Sequence, residues 1–216
     1  MAEIYVHHRI TATPRQWKAV AVALTESAAP RLEAAGATLF GAWRSQIGRP
    51  RDEIAAITVW PDADAAAAAE ALLIRDMAGV HDCESARMAP TLRPETPAPP
   101  RRQGNYAFRW FATPKAHWPE FLDLCAGAWP GFESAYDSQV IGLWRCLEEA
   151  GDNIRSLLLT RRPDLAMWER SKIPVGAEET EVRRKLSRRY DLCEWTCVYT
   201  TTLLTADDRE DTARWT

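Results

Sequence analysis

The chain has 216 residues, 46% hydrophobic and 26% charged, enough for an ordinary globular core in one large domain or two small ones. A net charge of -3 argues against nucleic acid as the main partner, because phosphate binding needs a net basic face. No apolar run approaches the ~20 residues of a membrane span, and the start, Met1-Ala2-Glu3, lacks a secretory pattern.

In chain order, the first strand alternates. Ile4, Val6, His8 and Ile10 share one face, and Tyr5, His7 and Arg9 the other. Thr13 reads as a helix N-cap with Pro14 at the first helical position. Trp17, Val20, Ala21, Leu24, Ala28 and Leu32 then recur at helical spacing to about Ala35, and Gly36 is the stop. Strands are expected at 37–47 and 53–60, an alanine-rich helix at 63–76 and a short strand near 84–90. Five prolines at 90, 94, 97, 99 and 100 mark residues 91–104 as an extended linker, since proline lacks an N–H and fixes φ. Beyond it the order recurs: a strand at 105–112, a helix from Thr113-Pro114 that Pro130-Gly131 could break, and strands at 138–147 and 154–161. Helical sequence at 163–171 and 177–192 and a β-branched final strand at 197–203 complete the copy. Within the second of these helices, Glu178, Glu179 and Glu181 precede Arg183, Arg184, Lys185, Arg188 and Arg189, the pattern of a solvated helix with a favourable dipole, with an anion or partner site as the alternative.

This recurrence is an internal duplication. Arg9 matches Arg109, and each leads into Thr-Pro; Gly41-Ala42-Trp43-Arg44 matches Gly142-Leu143-Trp144-Arg145; Asp52–Asp62 reads like Asp152–Asp164. The expected fold is α+β: two ferredoxin-like βαββαβ repeats, 1–90 and 105–216, joined by the linker. A four-stranded sheet with helices on one face leaves Tyr5, His7, Phe40, Ala42 and Phe111 on the other, so the two copies should pack together into one barrel.

The succession strand–Thr-Pro–helix, Gly-x-Trp, then Asp-Glu-Ile…Val-Trp-Pro-Asp resembles the NIPSNAP family of the dimeric α/β-barrel superfamily. The likeness covers most of both copies and is strongest over 37–62; in the second copy Thr160-Arg161 stands where the first has Val-Trp. The resemblance implies an intramolecular dimeric α/β barrel. It does not imply one activity, because the superfamily holds several.

The site candidates follow from these faces. His8, on the helix-facing side of the first strand, is the candidate general base, with a satisfied core histidine as the bland alternative. Tyr106 and Trp110 are candidate walls for a flat apolar substrate, with Trp43 and Trp17 beside them; repeat equivalence of Trp43 with Trp144, and of Trp17 with Trp118, favours packing instead. Arg9 and Arg109 read as structural ion-pair residues, with an anion-binding role as the alternative. His81-Asp82-Cys83 and Cys193-x-x-x-Cys197 fall short of a metal site, and no phosphate loop or nucleophile elbow occurs, so neither metal nor organic cofactor is expected. Haem, on His8 or His117, is the remaining variant. The expected function is a small-molecule enzyme of isomerase, cyclase, lyase or monooxygenase type, acting on a hydrophobic or aromatic substrate between sheet and helices. The alternative is a non-catalytic ligand-binding or interaction protein. A cytoplasmic setting fits five cysteines, an odd number, and a homodimer of the two-repeat chain is left open.

Overall fold

The alternating stretch at the start forms β1 (Ile4–Ala12), and its turn, Thr13 to Gln16, leads to α1 (Trp17–Ala23). A π-helical turn (Leu24–Ala28) and α2 (Ala29–Ala34) continue the same rod. Pro30 lies at the start of α2 and has no N–H to return to the preceding turn, which is where the helix widens. β2 (Thr38–Ile47), β3 (Glu53–Trp60), α3 (Ala63–Ala66), α4 (Ala69–Ile74) and β4 (Val80–Arg93) complete the first repeat. The second comprises β5 (Asn105–Pro114), α5 (Trp118–Ala135), β6 (Gln139–Cys146), β7 (Asn153–Arg162), α6 (Leu165–Arg170), α7 (Gly176–Asp191) and β8 (Trp195–Leu203). This computed structural model describes residues 3–148 and 150–208; the outermost ends of the expected repeats, 1–2 and 209–216, lie outside the described residues.

The class is α+β, and the strand order closes as β1-β3-β2-β8-β5-β7-β6-β4, an antiparallel eight-stranded barrel of the dimeric α/β type. Two compact units are distinguished among the described residues: 3–89 with 96–103 and 200–208, and 90–95 with 104–148 and 150–199. In the first, β1 pairs with both β3 and β4, β3 with β2, and β2 with the end of β8. In the second, β7 lies between β5 and β6.

The Gly-x-Trp motif has a packing cause. A Cβ on Gly41 would lie 2.5 Å from Cη2 of Trp43, and one on Gly142 2.4 Å from Cη2 of Trp144. Each indole therefore lies flat over the glycine two residues back on the same face of the strand, a space only glycine leaves. Both rings are fully buried.

Three expectations need correction. Thr-Pro is not a helix cap: Thr113 and Pro114 are still paired in β5, opposite Ile154 and Asn153, and in the first repeat Gln16 precedes α1. Pro130-Gly131 does not break α5, which runs through both. Gly131 is there because a Cβ would sit 2.7 Å from Cγ2 of Val182, so α5 and α7 approach closely, and that packing outweighs the hydrogen bond lost at Pro130. The strand near 84–90 is longer, spanning 14 residues and including Pro90. Pairing of β4 with β1 ends at Met88, so the missing N–H of Pro90 costs that ladder nothing.

Candidate functional site

Strand register fixes which positions of the two repeats correspond. His8 lies opposite Ala56, which lies opposite Ala42; Arg109 lies opposite Leu158, which lies opposite Leu143. Since Ala42 and Leu143 occupy the same place in their Gly-x-Trp motifs, Arg109 corresponds to His8 rather than to Arg9. The sequence match on Thr-Pro is one residue out of register, and a one-residue slip sends every side chain to the other face. By the same register Thr160 corresponds to Thr58 and Arg162 to Trp60.

The slip reverses the assignment of β5. Its helix-facing residues are Ala107, Arg109 and Phe111, and they line a cavity of about 690 Å³ in the second repeat. Leu158, Thr160 and Arg162 of β7 extend the floor, Trp129 and Phe132 come from α5, Trp168 from α6, and Arg183, Arg189 and Asp191 from α7. Phe111 packs edge-on against Phe121, within a core that α5 contributes most to.

Helix placement has local causes. The Asp164 carboxylate caps α6 by accepting from the Met167 N–H at 2.7 Å. Glu179, near the start of α7, accepts two hydrogen bonds from Arg170 at 2.9 and 2.7 Å, one from the Val175 N–H at 2.8 Å and one from the Tyr136 hydroxyl at 3.1 Å. These donors hold its carboxyl down at about 2 and tie α5, α6 and α7 together. Glu133 of α5 accepts from Arg93 at 2.6 Å and from the Val140 N–H at 2.7 Å.

The cavity is cationic, with Asp191 the one carboxylate of its lining. Neither Arg109, Arg162 nor Arg189 forms an ion pair among the described residues. Burial, then the like charges of Arg189 and Arg183, lowers Arg109 to about 10. Burial, then the charge of Arg109, lowers Arg162 to about 10. Arg162 donates to Thr160 Oγ1 at 3.2 Å, and its guanidinium lies 4.6 Å from the Trp168 ring centre and 5.1 Å from that of Phe132. Arg189, only 7% exposed, lies 5.1 Å from the Phe111 ring and 3.6 Å from Cys125 Sγ. Aromatic faces, rather than carboxylates, hold these cations.

His8 stands in a different setting. It is fully buried, with Nδ1 2.8 Å from Ser85 Oγ and Nε2 2.9 Å from Thr58 Oγ1, while Trp60 Nε1 donates to the same Thr58 oxygen at 2.8 Å. Burial pushes its pKa down to about 3, so near neutral pH it is an uncharged, doubly bonded core residue. His8 does not line the cavity, and no other histidine does. His117, exposed before α5, has Nδ1 3.4 Å from the Leu192 carbonyl. Neither His8 nor His117 lines this cavity, so haem held there by either histidine does not fit.

The remaining candidates also lie elsewhere. Tyr106 and Trp110 are buried on the β5 face opposite Arg109. Trp43 lies over Gly41, and Trp17, at the start of α1, lies under the Arg44 guanidinium at 3.9 Å. Arg9 is an ion-pair residue, contacting Glu53 at 3.3 Å and Glu84, whereas Arg109 is not. Arg109, Arg162 and Arg189 line the cavity but were not among the sequence's site candidates; two of them stand in strands where the first repeat has His8 and Trp60. Among the described residues no group of three or more His, Cys, Asp or Glu could hold a metal, and no helix is long and apolar enough to cross a membrane.

Neither a protein-family model nor a curated protein matches the chain. Solved structures do. A candidate monooxygenase from Lactobacillus acidophilus NCFM is 11% identical with a TM-score of 0.59, over 95% of this chain and 98% of that one. An anthrone oxidase-like protein is 11% identical with a TM-score of 0.59, over 94% and 92%. Chlorite dismutase from Candidatus Nitrospira defluvii, solved with imidazole, is 6% identical with a TM-score of 0.57, over 93% and 90%. At such identity the likeness is one of fold, and the fold is the dimeric α/β barrel.

Proposed function

We propose that the protein is a small-molecule enzyme of the monooxygenase type, taking a flat, largely apolar aromatic substrate into the cavity of the second repeat. The observation that carries this reading is the cavity itself: about 690 Å³ between sheet and helices, walled by Trp129, Phe132, Trp168 and Phe111. Fold neighbours described as a candidate monooxygenase and as anthrone oxidase-like supply the reaction class by analogy. In such a reaction an aromatic-flanked methylene loses two hydrogens and gains one oxygen atom from dioxygen. The second oxygen atom leaves with those hydrogens as water, so dioxygen is the oxidant. The enol form loses its proton first; Asp191, the one carboxylate in the lining, is the candidate acceptor.

A second reading, a non-catalytic binding protein, is favoured by one observation: no histidine lines the cavity. Closer kinship with the NIPSNAP proteins rests on the sequence motifs alone. Oxygen uptake with anthrone as probe separates the two functions. The expected result is consumption above the protein-free rate that Arg162→Trp lowers, because an indole there removes the guanidinium from the wall and narrows the cavity. Thermal midpoint should be retained. Anthrone binding without oxygen uptake would favour the binding protein; neither binding nor uptake would overturn the cavity as the site.

A further inference from the structure

The donor inventory of the cavity says more about its ligand than its shape does. Arg162 Nε, Arg189 Nε and Trp129 Nε1 are buried and have no hydrogen-bond partner among the described residues. Arg109 makes no hydrogen bond or ion pair among them either. All of these are donors. On the acceptor side, Thr160 Oγ1 is already taken by Arg162, and the Ser171 hydroxyl is turned to the Trp168 carbonyl at 2.8 Å. A guanidinium has five N–H groups and no acceptor, so three of them around one cavity present more donors than the few lining oxygens, Asp191 among them, can take up.

We infer that the ligand of this cavity carries a planar oxyanion, a carboxylate or an enolate-type oxygen, on its aromatic body. The inference rests on the cavity being the ligand site and adds the charge and the contacting residues: Arg109 and Arg162 from the sheet, Arg189 from α7.

Three physical points support it. Buried like charges repel, and the positive charge on Arg109 is disfavoured by Arg189 and Arg183 and that on Arg162 by Arg109, so an incoming negative charge offsets that repulsion. Charge-assisted bonds from a guanidinium fork match a planar oxyanion in geometry as well as charge. Trp168 and Phe132 lie against Arg162, and Phe111 against Arg189, so aromatic surface borders each of these charges. The carboxylates of α5 and α7 nearby are committed elsewhere: Glu120 to Arg188, Glu179 to Arg170, Glu181 to Arg184, Glu133 to Arg93. The exception in the lining is Asp191, at the exposed end of α7.

The test is calorimetric titration of the full chain with 2-naphthoate, its neutral isostere 2-naphthamide, and 2-naphthol followed by its phenolate absorbance. Either naphthoate binding at least about tenfold tighter than naphthamide, or a naphthol pKa lowered by at least about one unit on binding, is the expected result; which of the two occurs tells carboxylate from enolate-type chemistry. Arg109→Gln and Arg162→Gln should each erase the preference by weakening naphthoate far more than naphthamide, in a chain that still shows a cooperative thermal transition. Equal binding of naphthoate and naphthamide with an unshifted naphthol pKa overturns the anion inference while leaving an aromatic cavity intact. Binding of none of the three overturns both.

Discussion

The two repeats answer the same packing problem with different chemistry at three corresponding positions. In the first repeat His8, Thr58 and Trp60 form a closed hydrogen-bonded set, 0%, 0% and 2% exposed. In the second, Arg109, Thr160 and Arg162 border a cavity. The threonine is the same, and in each case the residue two places on donates to it. What differs is that imidazole and indole can be buried neutral, whereas two guanidinium groups cannot shed their charge at any ordinary pH. A duplicated fold can thus keep one half as finished core and border a cavity with charge in the other by exchanging two side chains on adjacent strands.

The strongest way to break this comparison is to exchange the residues. His8→Arg would place an unpaired charge where no cavity receives it and should destabilise the chain by about 3–5 kcal/mol. Arg109→His, the reverse exchange, should cost less than about 1 kcal/mol, because the second repeat has room. Chemical denaturation of both variants checks this; equal losses would mean the two environments are alike.

A second effect is pH dependence. His8 stays neutral in the folded chain down to about pH 3 but takes a proton below 6.5 once unfolded. Between those values the unfolded state binds the extra proton. Stability from this group is therefore complete above 6.5 and falls as pH falls, by at most about 1.4 kcal/mol per pH unit. Denaturation midpoints at pH 7, 6, 5 and 4 should show a shallower fall for His8→Gln than for the native chain. Parallel curves would show that the histidine is not held neutral.

The smallest effect concerns the shared threonine. Thr58→Val strands both His8 Nε2 and Trp60 Nε1 in a closed core and should cost about 1–3 kcal/mol. Thr160→Val leaves Arg162 next to a cavity where water can replace the lost oxygen, so its cost should be under about 1 kcal/mol. A larger loss for Thr160→Val would reverse the assignment of closed and open halves.

Much of the architecture was legible in the chain. Alternation located the strands of both repeats, the duplication doubled each observation, and Gly-x-Trp marked the same close contact twice. The elements that went astray were those whose local signals are overruled by neighbours: Pro130 inside α5, where packing against Val182 prevails, and Pro90 inside β4, past the end of pairing with β1. The site was less legible for the same reason. His8 is the more conspicuous residue in the sequence, yet its two hydroxyl partners, Ser85 and Thr58, come from strands 77 and 50 residues away and silence it.

By itself the sequence determined that there are two βαββαβ copies and which residues alternate along each strand, because a period of two and a repeated motif are local properties. The tertiary structure alone decided the register between the copies. Hydrogen-bond pairing with β7, and not similarity of the Thr-Pro ends, sets which way β5 faces, and that one-residue difference turns Arg109 from an ion-pair partner into a wall of the cavity.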